Sequence, residues 1–267
     1  MRIAGMQKLT LLDYPGLTAA TVFTPGCNLR CPFCHNGELV DIGAGSGAEG
    51  SDGGTADPAG EVPPPPESSV DEVLAFLRTR HRLLDGVCIS GGEPLLQPGL
   101  TDFCRALHEL GFSVKLDTNG TLPDRLRTLL DAGLVDHVAM DVKNTPGRYA
   151  ETTGCADVDM AAVRESMRLL MAQDPAAGGA GYEFRTTVVR ELHTREDLIE
   201  MAYRLADLAR EELSPLCPPW FIQNFKDSGT VLAGAGALHP WSDDDLRALL
   251  PRLRVILPTA QLRGVEE

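Results

Sequence analysis

Residues 86–141 read GVCISGGEPLLQPGLTDFCRALHELGFSVKLDTNGTLPDRLRTLLDAGLVDHVAMD, and their pattern sets the fold class of the chain. Three short apolar runs have the length of buried strands, at 86–90, 113–117 and 137–141. Between them lie two segments with helical periodicity, at 100–110 and 123–132. Strands that alternate with helices of this length predict right-handed crossovers and a parallel sheet.

The same alternation continues on both sides of this stretch. Three further strands are predicted, at 20–24, 182–189 and 220–223. Four further helices are predicted, at 69–83, 160–172, 196–212 and 243–253. Ser69 and Glu72 have the spacing of a capping box at the start of the first of these helices. Six strand–helix units predict an α/β fold with a full or partial barrel, and periodicity alone leaves a doubly wound open sheet as an alternative.

Composition and charge argue against several classes of function. The 267 residues carry a net charge of −14, from 24 Lys and Arg against 38 Asp and Glu. This balance disfavours a nucleic-acid partner, because phosphate binding needs clustered cations. No run of 18 apolar residues occurs, so we expect no membrane span. The first ten residues lack the apolar stretch of a secretory signal, so we expect a cytoplasmic protein.

Residues 41–69 differ in composition from the rest of the chain. They read DIGAGSGAEGSDGGTADPAGEVPPPPESS, which is rich in Gly, Pro and acidic residues and contains no aromatic residue. Such a segment cannot bury enough apolar surface to offset the entropy of ordering it, so we expect a flexible insertion. The 40 residues before it are too few for a separate core. We therefore expect residues 1–267 to form one domain that this insertion interrupts.

Three of the seven cysteines lie in one short loop, TPGCNLRCPFCH at 24–35. Cys27, Cys31 and Cys34 form a C-x3-C-x2-C motif directly after the first predicted strand. Thiolates are the usual ligands of iron–sulfur clusters, and three of them can hold three irons of a cubane while the fourth iron stays open. The spacing favours such a cluster. The alternative is a zinc knuckle completed by His35, although directly adjacent ligands rarely close a tetrahedral site.

The other four cysteines show no paired spacing and are predicted to be structural. They are Cys88, Cys104, Cys155 and Cys217. The first two fall in a predicted strand and a predicted helix, where a cysteine usually packs in the core. The odd total, in a chain without a secretory signal, argues against a disulfide framework.

A second motif follows the second predicted strand, where Ser90-Gly91-Gly92-Glu93-Pro94 occurs. Two adjacent glycines let the backbone approach a ligand closely, and carbonyls or the Glu93 carboxylate can accept hydrogen bonds from an ammonium group. A simple strand-to-helix turn would also explain Gly-Gly followed by Pro. The position of the motif after the cysteine loop favours a ligand-binding role.

Polar residues end three further predicted strands. Asp117 begins the sequence DTNG, which contains Asn119; Asp141 precedes Lys143 by two residues; and Arg185 lies in the next strand. A carboxylate at a strand end is alternatively only a helix cap or a turn former. The collective pattern favours a binding site, because ligands of parallel β/α folds lie at the carboxyl ends of the strands. In extended chain, Asp141 and Lys143 share one face.

Together, the motifs CNLRCPFCHN, SGGEPLLQ, DTNG and DVK resemble those of the radical S-adenosylmethionine (SAM) superfamily, and within it the glycyl-radical-enzyme activating enzymes. The segments IAGMQKLTLLDYPG at 3–16 and QNF at 223–225 are most similar to the activating proteins of anaerobic ribonucleoside-triphosphate reductases. The resemblance implies a partial (β/α)6 barrel, a parallel sheet with outer helices. It also implies reductive cleavage of SAM to methionine and a 5′-deoxyadenosyl radical, which abstracts hydrogen from a glycine of a partner enzyme.

The resemblance further implies cofactors, partners and residue roles. Cys27, Cys31 and Cys34 would hold a [4Fe–4S] cluster, while Asp117 and Asp141 would bind a monovalent cation. The residues implied to contact SAM are Phe33, Gly91, Gly92, Glu93, Asp117, Asn119, Lys143 and Arg185. The implied partners are a glycyl radical enzyme and an electron donor of the flavodoxin or ferredoxin type. Many activating enzymes carry further ferredoxin-like cysteines where this chain has its cysteine-free insertion, so we expect a single cluster.

Three other functions remain open from the sequence. A radical SAM enzyme that modifies a small molecule or a peptide would share the same motifs. A zinc-binding adaptor without enzymatic activity would leave GGEP, DTNG and DVK unexplained. A pure electron-transfer protein usually has four cysteine ligands for each cluster, and no fourth is evident here.

Overall fold

The computed structural model of the chain describes residues 1–40, 68–214 and 216–265, which form one sheet of eight strands. The strands are β1 Gly5–Thr10, β2 Ala19–Thr24, β3 Gly86–Gly91, β4 Ser113–Thr118, β5 His137–Asp141, β6 Gly181–Val188, β7 Trp220–Asn224 and β8 Ala260–Arg263. β2 to β8 are parallel, and β1 runs antiparallel beside β2. The predicted α/β fold with a mainly parallel sheet is confirmed.

Helices connect most of the parallel strands. They are α1 Gly37–Val40, α2 Val70–Arg78, α3 Leu100–Glu109, α4 Pro123–Asp131, α5 Tyr149–Thr153, α6 Met160–Met171, α7 Arg195–Glu211 and α8 Asp243–Ile256. Short 3-10 turns occur at Pro94–Leu96, Pro146–Arg148 and Pro175–Ala177. None of the helices within the described residues is long and apolar enough to cross a membrane.

The strands pair strictly in chain order, from β1 to β8. A doubly wound sheet reverses its strand order at a switch point, whereas a β/α barrel keeps chain order, so the doubly wound alternative is excluded. β1 and β8 are the two ends of the described sheet. The architecture is therefore a partial barrel, as expected, with one additional strand at each end.

The two faces of the sheet differ in polarity, and this difference positions the site. Outward residues such as Ile89 and Leu116 are buried in one apolar core with the helical residues Phe103 and Leu107. The inward positions of neighbouring strands are polar, and Cys88 on β3 stands in register with Lys115 on β4. The helices thus cover an apolar outer surface, while the interior of the barrel is free to carry functional groups.

Parts of the sequence prediction were incomplete or wrong. β1 and β8 were not predicted, because β1 is an edge strand with little burial and β8 has only four residues. The helix predicted at 69–83 ends at Arg78, where the Thr79 hydroxyl donates to the carbonyl of Phe76 at 2.7 Å. The predicted insertion lies almost entirely outside the described residues and stays a prediction.

Candidate functional site

The three cysteines of the loop lie in the wall of one cavity at the carboxyl ends of the strands, with a volume of about 220 Å³. Other predicted site residues also line this cavity, namely Phe33, Gly91, Gly92, Asp117, Asn119, Asp141, Lys143 and Arg185. Ser90, Thr187 and Gln223 complete this part of the wall. Groups that are more than 150 residues apart in the chain thus converge on one space.

Hydrogen bonds hold the cysteine loop in place from several directions. The Arg30 guanidinium donates to the carbonyl of Cys27 at 2.7 Å and to that of Leu29 at 3.0 Å. The Arg30 amide donates to the carbonyl of Thr153 at 2.9 Å. The loop also covers a small apolar cluster of its own, which contains Leu29, Cys31, Phe33, Val189, Leu192 and Phe225. The thiols are therefore presented by a fixed backbone.

Burial sets the protonation state of these thiols before any metal binds. It raises the pKa of Cys27 to about 11 and that of Cys31 to about 12, and it raises the pKa of Cys34 as well. Thiolates are the metal-binding form, so loading iron must release protons from this loop. The ring of His35 faces Phe225, with the ring centroids 5.7 Å apart. In the described residues, no group of three or more His, Cys, Asp or Glu side chains could hold a single metal ion.

Gly91 and Gly92 allow two backbones to touch. Gly91 has a φ of +113°, which favours glycine, and a Cβ there would overlap the backbone of Thr24. A Cβ on Gly92 would overlap the carbonyl oxygen of Gly26, the residue before Cys27. The Gly92 amide donates to the carbonyl of Thr24 at 2.8 Å. The Gly-Gly turn therefore forms part of the cavity wall only because it has no side chains.

Glu93 is the predicted site residue that the cavity wall does not include. Its carboxylate is 1 % exposed and accepts hydrogen bonds from the amide of Leu95 at 3.0 Å, the hydroxyl of Thr118 at 2.8 Å and the amide of Asn119 at 2.7 Å. Burial raises the pKa of Glu93 to about 7, although these hydrogen bonds act in the opposite direction. The side chain joins the turns that follow β3 and β4.

Asn119 connects that junction to the cysteine loop. Its side-chain amide donates to the Asn28 side chain at 2.9 Å and lies 3.9 Å from the sulfur of Cys27. Asn28 in turn donates to the hydroxyl of Thr121 at 2.8 Å. Glu93 thus acts on the cysteine loop through Asn119, a connection that the sequence motif did not reveal.

Charged side chains form another part of the wall. Arg185 donates to Asp141 at 3.0 Å and to Asp117 at 3.3 Å, and the Lys143 ammonium donates to Asp141 at 2.9 Å. Burial acts to raise the pKa of Asp141, but Arg185 and Lys143 outweigh it and lower the pKa to about 2. The same carboxylates raise the pKa values of Lys143 and Arg185, against the effect of burial. All these groups are ionised at neutral pH.

Lys143 also contacts the cysteine loop, since its ammonium lies 5.8 Å from the ring centroid of Phe33. This is a cation–π arrangement at the edge of the cavity. The backbone of Lys143 is held by His193, whose Nε2 is 2.8 Å from the Lys143 carbonyl, while the amide of Val189 lies 3.2 Å from Nδ1. No sequence signal predicts the contact of His193 with Lys143, because the two residues are 50 positions apart in the chain.

Lys115 is the second residue that the sequence interpretation did not assign. It lies in the barrel interior, 1 % exposed, and its ammonium donates to Asp117. A signal was available, because Lys115 and Asp117 are two apart in a strand and so share a face. Asp141 and Lys143 have the same spacing, one strand further along the sheet.

The remaining cysteines lie apart from the cavity wall. Cys104 is fully buried in the apolar core, as predicted, and the buried Cys88 lies 3.8 Å from the ammonium of Lys115. Cys155 is half-buried beside the cysteine loop, with its sulfur 3.6 Å from the carbonyl oxygen of Asn28. Cys217 is exposed.

Residues 21–174 match the sequence profile of the radical SAM superfamily. A relative from Methanocaldococcus jannaschii, provisionally named a glycyl-radical enzyme activating enzyme, is 30 % identical over 225 residues, which are 84 % of this chain and 80 % of the relative. The pyruvate formate-lyase-activating enzyme of Clostridium pasteurianum is 31 % identical over 54 % of this chain and 52 % of its own length. The 7-carboxy-7-deazaguanine synthase of Methanopyrus kandleri is 37 % identical over 49 % of this chain and 51 % of its own length.

The fold is similar to that of a solved structure, SuiB from Streptococcus suis. The TM-score is 0.59, the sequence identity is 16 %, and the match covers 92 % of this chain. The chain spans about half the length of SuiB, 49 %. At this identity the similarity concerns the fold alone.

Proposed function

The chain belongs to the radical SAM superfamily, and on that premise we propose that it activates a glycyl radical enzyme. Membership implies a [4Fe–4S] cluster and SAM. When bound, the cluster would supply one electron for the reductive cleavage of SAM to methionine and a 5′-deoxyadenosyl radical, and removal of a hydrogen atom from the α-carbon of a partner glycine would then give 5′-deoxyadenosine and a glycyl radical. The electron comes from a donor of the flavodoxin or ferredoxin type.

The observation that carries the proposal is the convergence of two unlike groups on one cavity. Three thiols from a single loop face the space from one side, and the ionised set of Asp141, Lys143 and Arg185 faces it from another. Thiolates suit iron, whereas ammonium and guanidinium groups suit a carboxylate such as that of the methionine moiety. The residues present therefore fit both cofactors.

The protein residues have binding and positioning roles in this reaction. Lys143 and Arg185 hold the carboxylate end of SAM, and Phe33 offers an apolar surface to its adenine. The Gly91–Gly92 backbone lies against the cysteine loop and leaves room for the ligand. Hydrogen abstraction needs no general acid, base or nucleophile from the protein, so a site without a catalytic triad is consistent with it.

The relatives support the activating role in particular. The archaeal relative named for this role aligns with most of both chains, and the clostridial activating enzyme aligns with about half of each. The similarity to the archaeal deazaguanine synthase favours a second candidate, a radical SAM enzyme that acts on a small molecule. Identity over about half of each chain is the specific reason to keep that candidate.

The first experiment tests SAM cleavage. The protein is reconstituted anaerobically with iron and sulfide, reduced, and supplied with SAM, and 5′-deoxyadenosine is measured by chromatography. We expect product from the wild type and from Cys217→Ser, whose thiol is exposed and lies outside the cavity. We expect none from Cys31→Ala, because one iron loses its ligand. Equal product from Cys31→Ala, or a wild-type protein that binds zinc and forms no cluster, would refute the proposal.

A second experiment tests the partner class. Candidate glycyl radical enzymes are added under the same conditions, and the glycyl radical is measured by electron paramagnetic resonance. We expect a signal that disappears when the partner's radical-forming glycine is replaced by alanine. SAM cleavage without any glycyl radical, together with turnover of a small-molecule substrate, would instead support the second candidate.

A further inference from the structure

Lys115 is a buried cation directly beside the ionised wall of the cavity. It lies on β4, two residues before Asp117, and its side chain is only 1 % exposed. Its ammonium donates to Oδ1 of Asp117 and lies 3.8 Å from the sulfur of Cys88. A lysine buried this deeply needs a charged partner, and Asp117 is that partner.

The carboxylate oxygens of Asp117 and Asp141 do not fit the role of ligands for the monovalent cation that the family resemblance implied. Oδ1 of Asp117 accepts from Lys115, and Oδ2 accepts from the hydroxyl of Ser90 at 3.1 Å and from Arg185 at 3.3 Å. Oδ1 of Asp141 accepts from Arg185 at 3.0 Å, and Oδ2 accepts from Lys143 at 2.9 Å. Every oxygen of the two carboxylates therefore already faces a cationic donor of the protein.

The charge balance of this group also disfavours an added cation. Two carboxylates face three cationic side chains, Lys115, Lys143 and Arg185, so the group has a net charge of +1. Glu183 does not change this balance, because it forms a bidentate pair with Arg263 at 2.9 Å. A further cation would add a like charge in a largely buried place, whereas one ligand carboxylate would neutralise the group.

We propose that Lys115 and Arg185 take the place of a monovalent cation in this chain, so that SAM binds without sodium or potassium. Lys115 is a positioning residue, because it acts on the ligand through Asp117 and Arg185. Its ammonium holds Asp117, and Asp117 in turn helps to orient the Arg185 guanidinium toward the cavity. The inference rests on the proposed function only in taking SAM as the ligand.

The ion dependence of the wild type is the first test. SAM binding to the cluster-loaded protein is measured by calorimetry in potassium, sodium or tetramethylammonium chloride at one ionic strength. We expect the same dissociation constant in all three salts, because tetramethylammonium is too large to fit between the carboxylates. Affinity that falls by about tenfold or more in tetramethylammonium would overturn the proposal. Formation of 5′-deoxyadenosine in potassium chloride tests the proposed function separately.

Lys115→Met supplies the complementary test. We expect its SAM affinity in tetramethylammonium to fall by about tenfold, as for the loss of a charge-assisted hydrogen bond, and potassium or sodium to restore it. Lys8→Met is the matched control, since Lys8 is exposed on β1, and its affinity should not change. Unchanged affinity of Lys115→Met, or weak binding in every salt, would show that the ammonium does not replace an ion. If this variant does not fold, the wild-type comparison decides.

Discussion

Gly92 marks the point where two loops that are distant in the chain touch. Its amide donates to Thr24, and the amide of Glu93 donates to the carbonyl of Gly26. A Cβ at Gly92 would overlap that same carbonyl, whose residue directly precedes Cys27. A methyl group at this position must therefore move the backbone that presents the first thiol.

Gly92→Ala tests this contact. We expect SAM cleavage to fall by roughly 100-fold, the loss that accompanies a displacement of about 1 Å between reacting groups. The assay is 5′-deoxyadenosine formation, with iron content measured beside it. Gly147→Ala is the control, because nothing lies within 4 Å of its Cβ position, and its activity should equal that of the wild type. Near-normal SAM cleavage by Gly92→Ala would show that the two loops can move apart without loss of activity.

Among the secondary-structure elements, two helices begin with the same type of N-terminal cap. In α2 the amide of Glu72 donates to the Ser69 hydroxyl at 3.1 Å, and the amide of Ser69 donates to the Glu72 carboxylate at 2.9 Å. Thr194 and Asp197 form the equivalent capping box of α7. These boxes satisfy amide groups that have no partner inside the helix, and they place each helix start by purely local interactions.

Ser69→Ala removes the cap of α2. We expect a loss of about 1 kcal/mol in the free energy of unfolding, which lowers the melting temperature by about 2 to 4 °C in a domain of this size. Thermal unfolding of the cluster-loaded protein measures the change. Ser69→Thr keeps the hydroxyl and should melt close to the wild type. A melting temperature of Ser69→Ala equal to that of Ser69→Thr would contradict a stabilising cap.

In the molecule as a whole, buried titratable groups make the stability of the folded protein depend on pH. Burial lowers the pKa values of His193 and His137, so folding favours the neutral form of both rings. An unfolded histidine titrates near pH 6.5, so below that pH the unfolded chain binds protons that the folded chain does not. These two histidines therefore reduce stability as the pH decreases from about 6.5, whereas Glu93, with its pKa raised to about 7, acts in the opposite direction over the same range. Asp141, with its pKa lowered to about 2, adds a further loss below about pH 4.

His193→Gln should reduce this acid sensitivity. We expect the wild-type melting temperature to fall more steeply below about pH 6.5 than that of the variant, because burial opposes protonation of the His193 ring in the folded protein. The melting temperature of the variant should be lower than that of the wild type at pH 6.5, but it should fall less between pH 6.5 and 5. His81→Gln, at an exposed position, should keep the wild-type slope. An unchanged slope in His193→Gln would assign the acid sensitivity to other groups.

The amino-acid sequence by itself determined the alternation of strands and helices and a parallel sheet, whereas the order of the strands came from the structure. It also determined the loop of Cys27, Cys31 and Cys34. These features follow from apolar periodicity and from spacing along the chain, which operate over a few residues and so can be read directly. The polar strand ends Asp117 and Asp141 could likewise be placed at one edge, because parallel strands bring their carboxyl ends together.

Only the tertiary structure decided how those groups are used. It showed that Glu93 joins two turns behind the cavity wall, that His193 holds the backbone of Lys143, and that Lys115 and Arg185 occupy the oxygens of Asp117. It also added β1 and β8, whose patterns are too short or too exposed to show periodicity. Most of these contacts join residues from different strands or loops, whereas Lys115 and Asp117 lie two residues apart on β4. Register and side-chain direction across the barrel decide the contacts between strands, and the spacing of residues along the chain does not predict them.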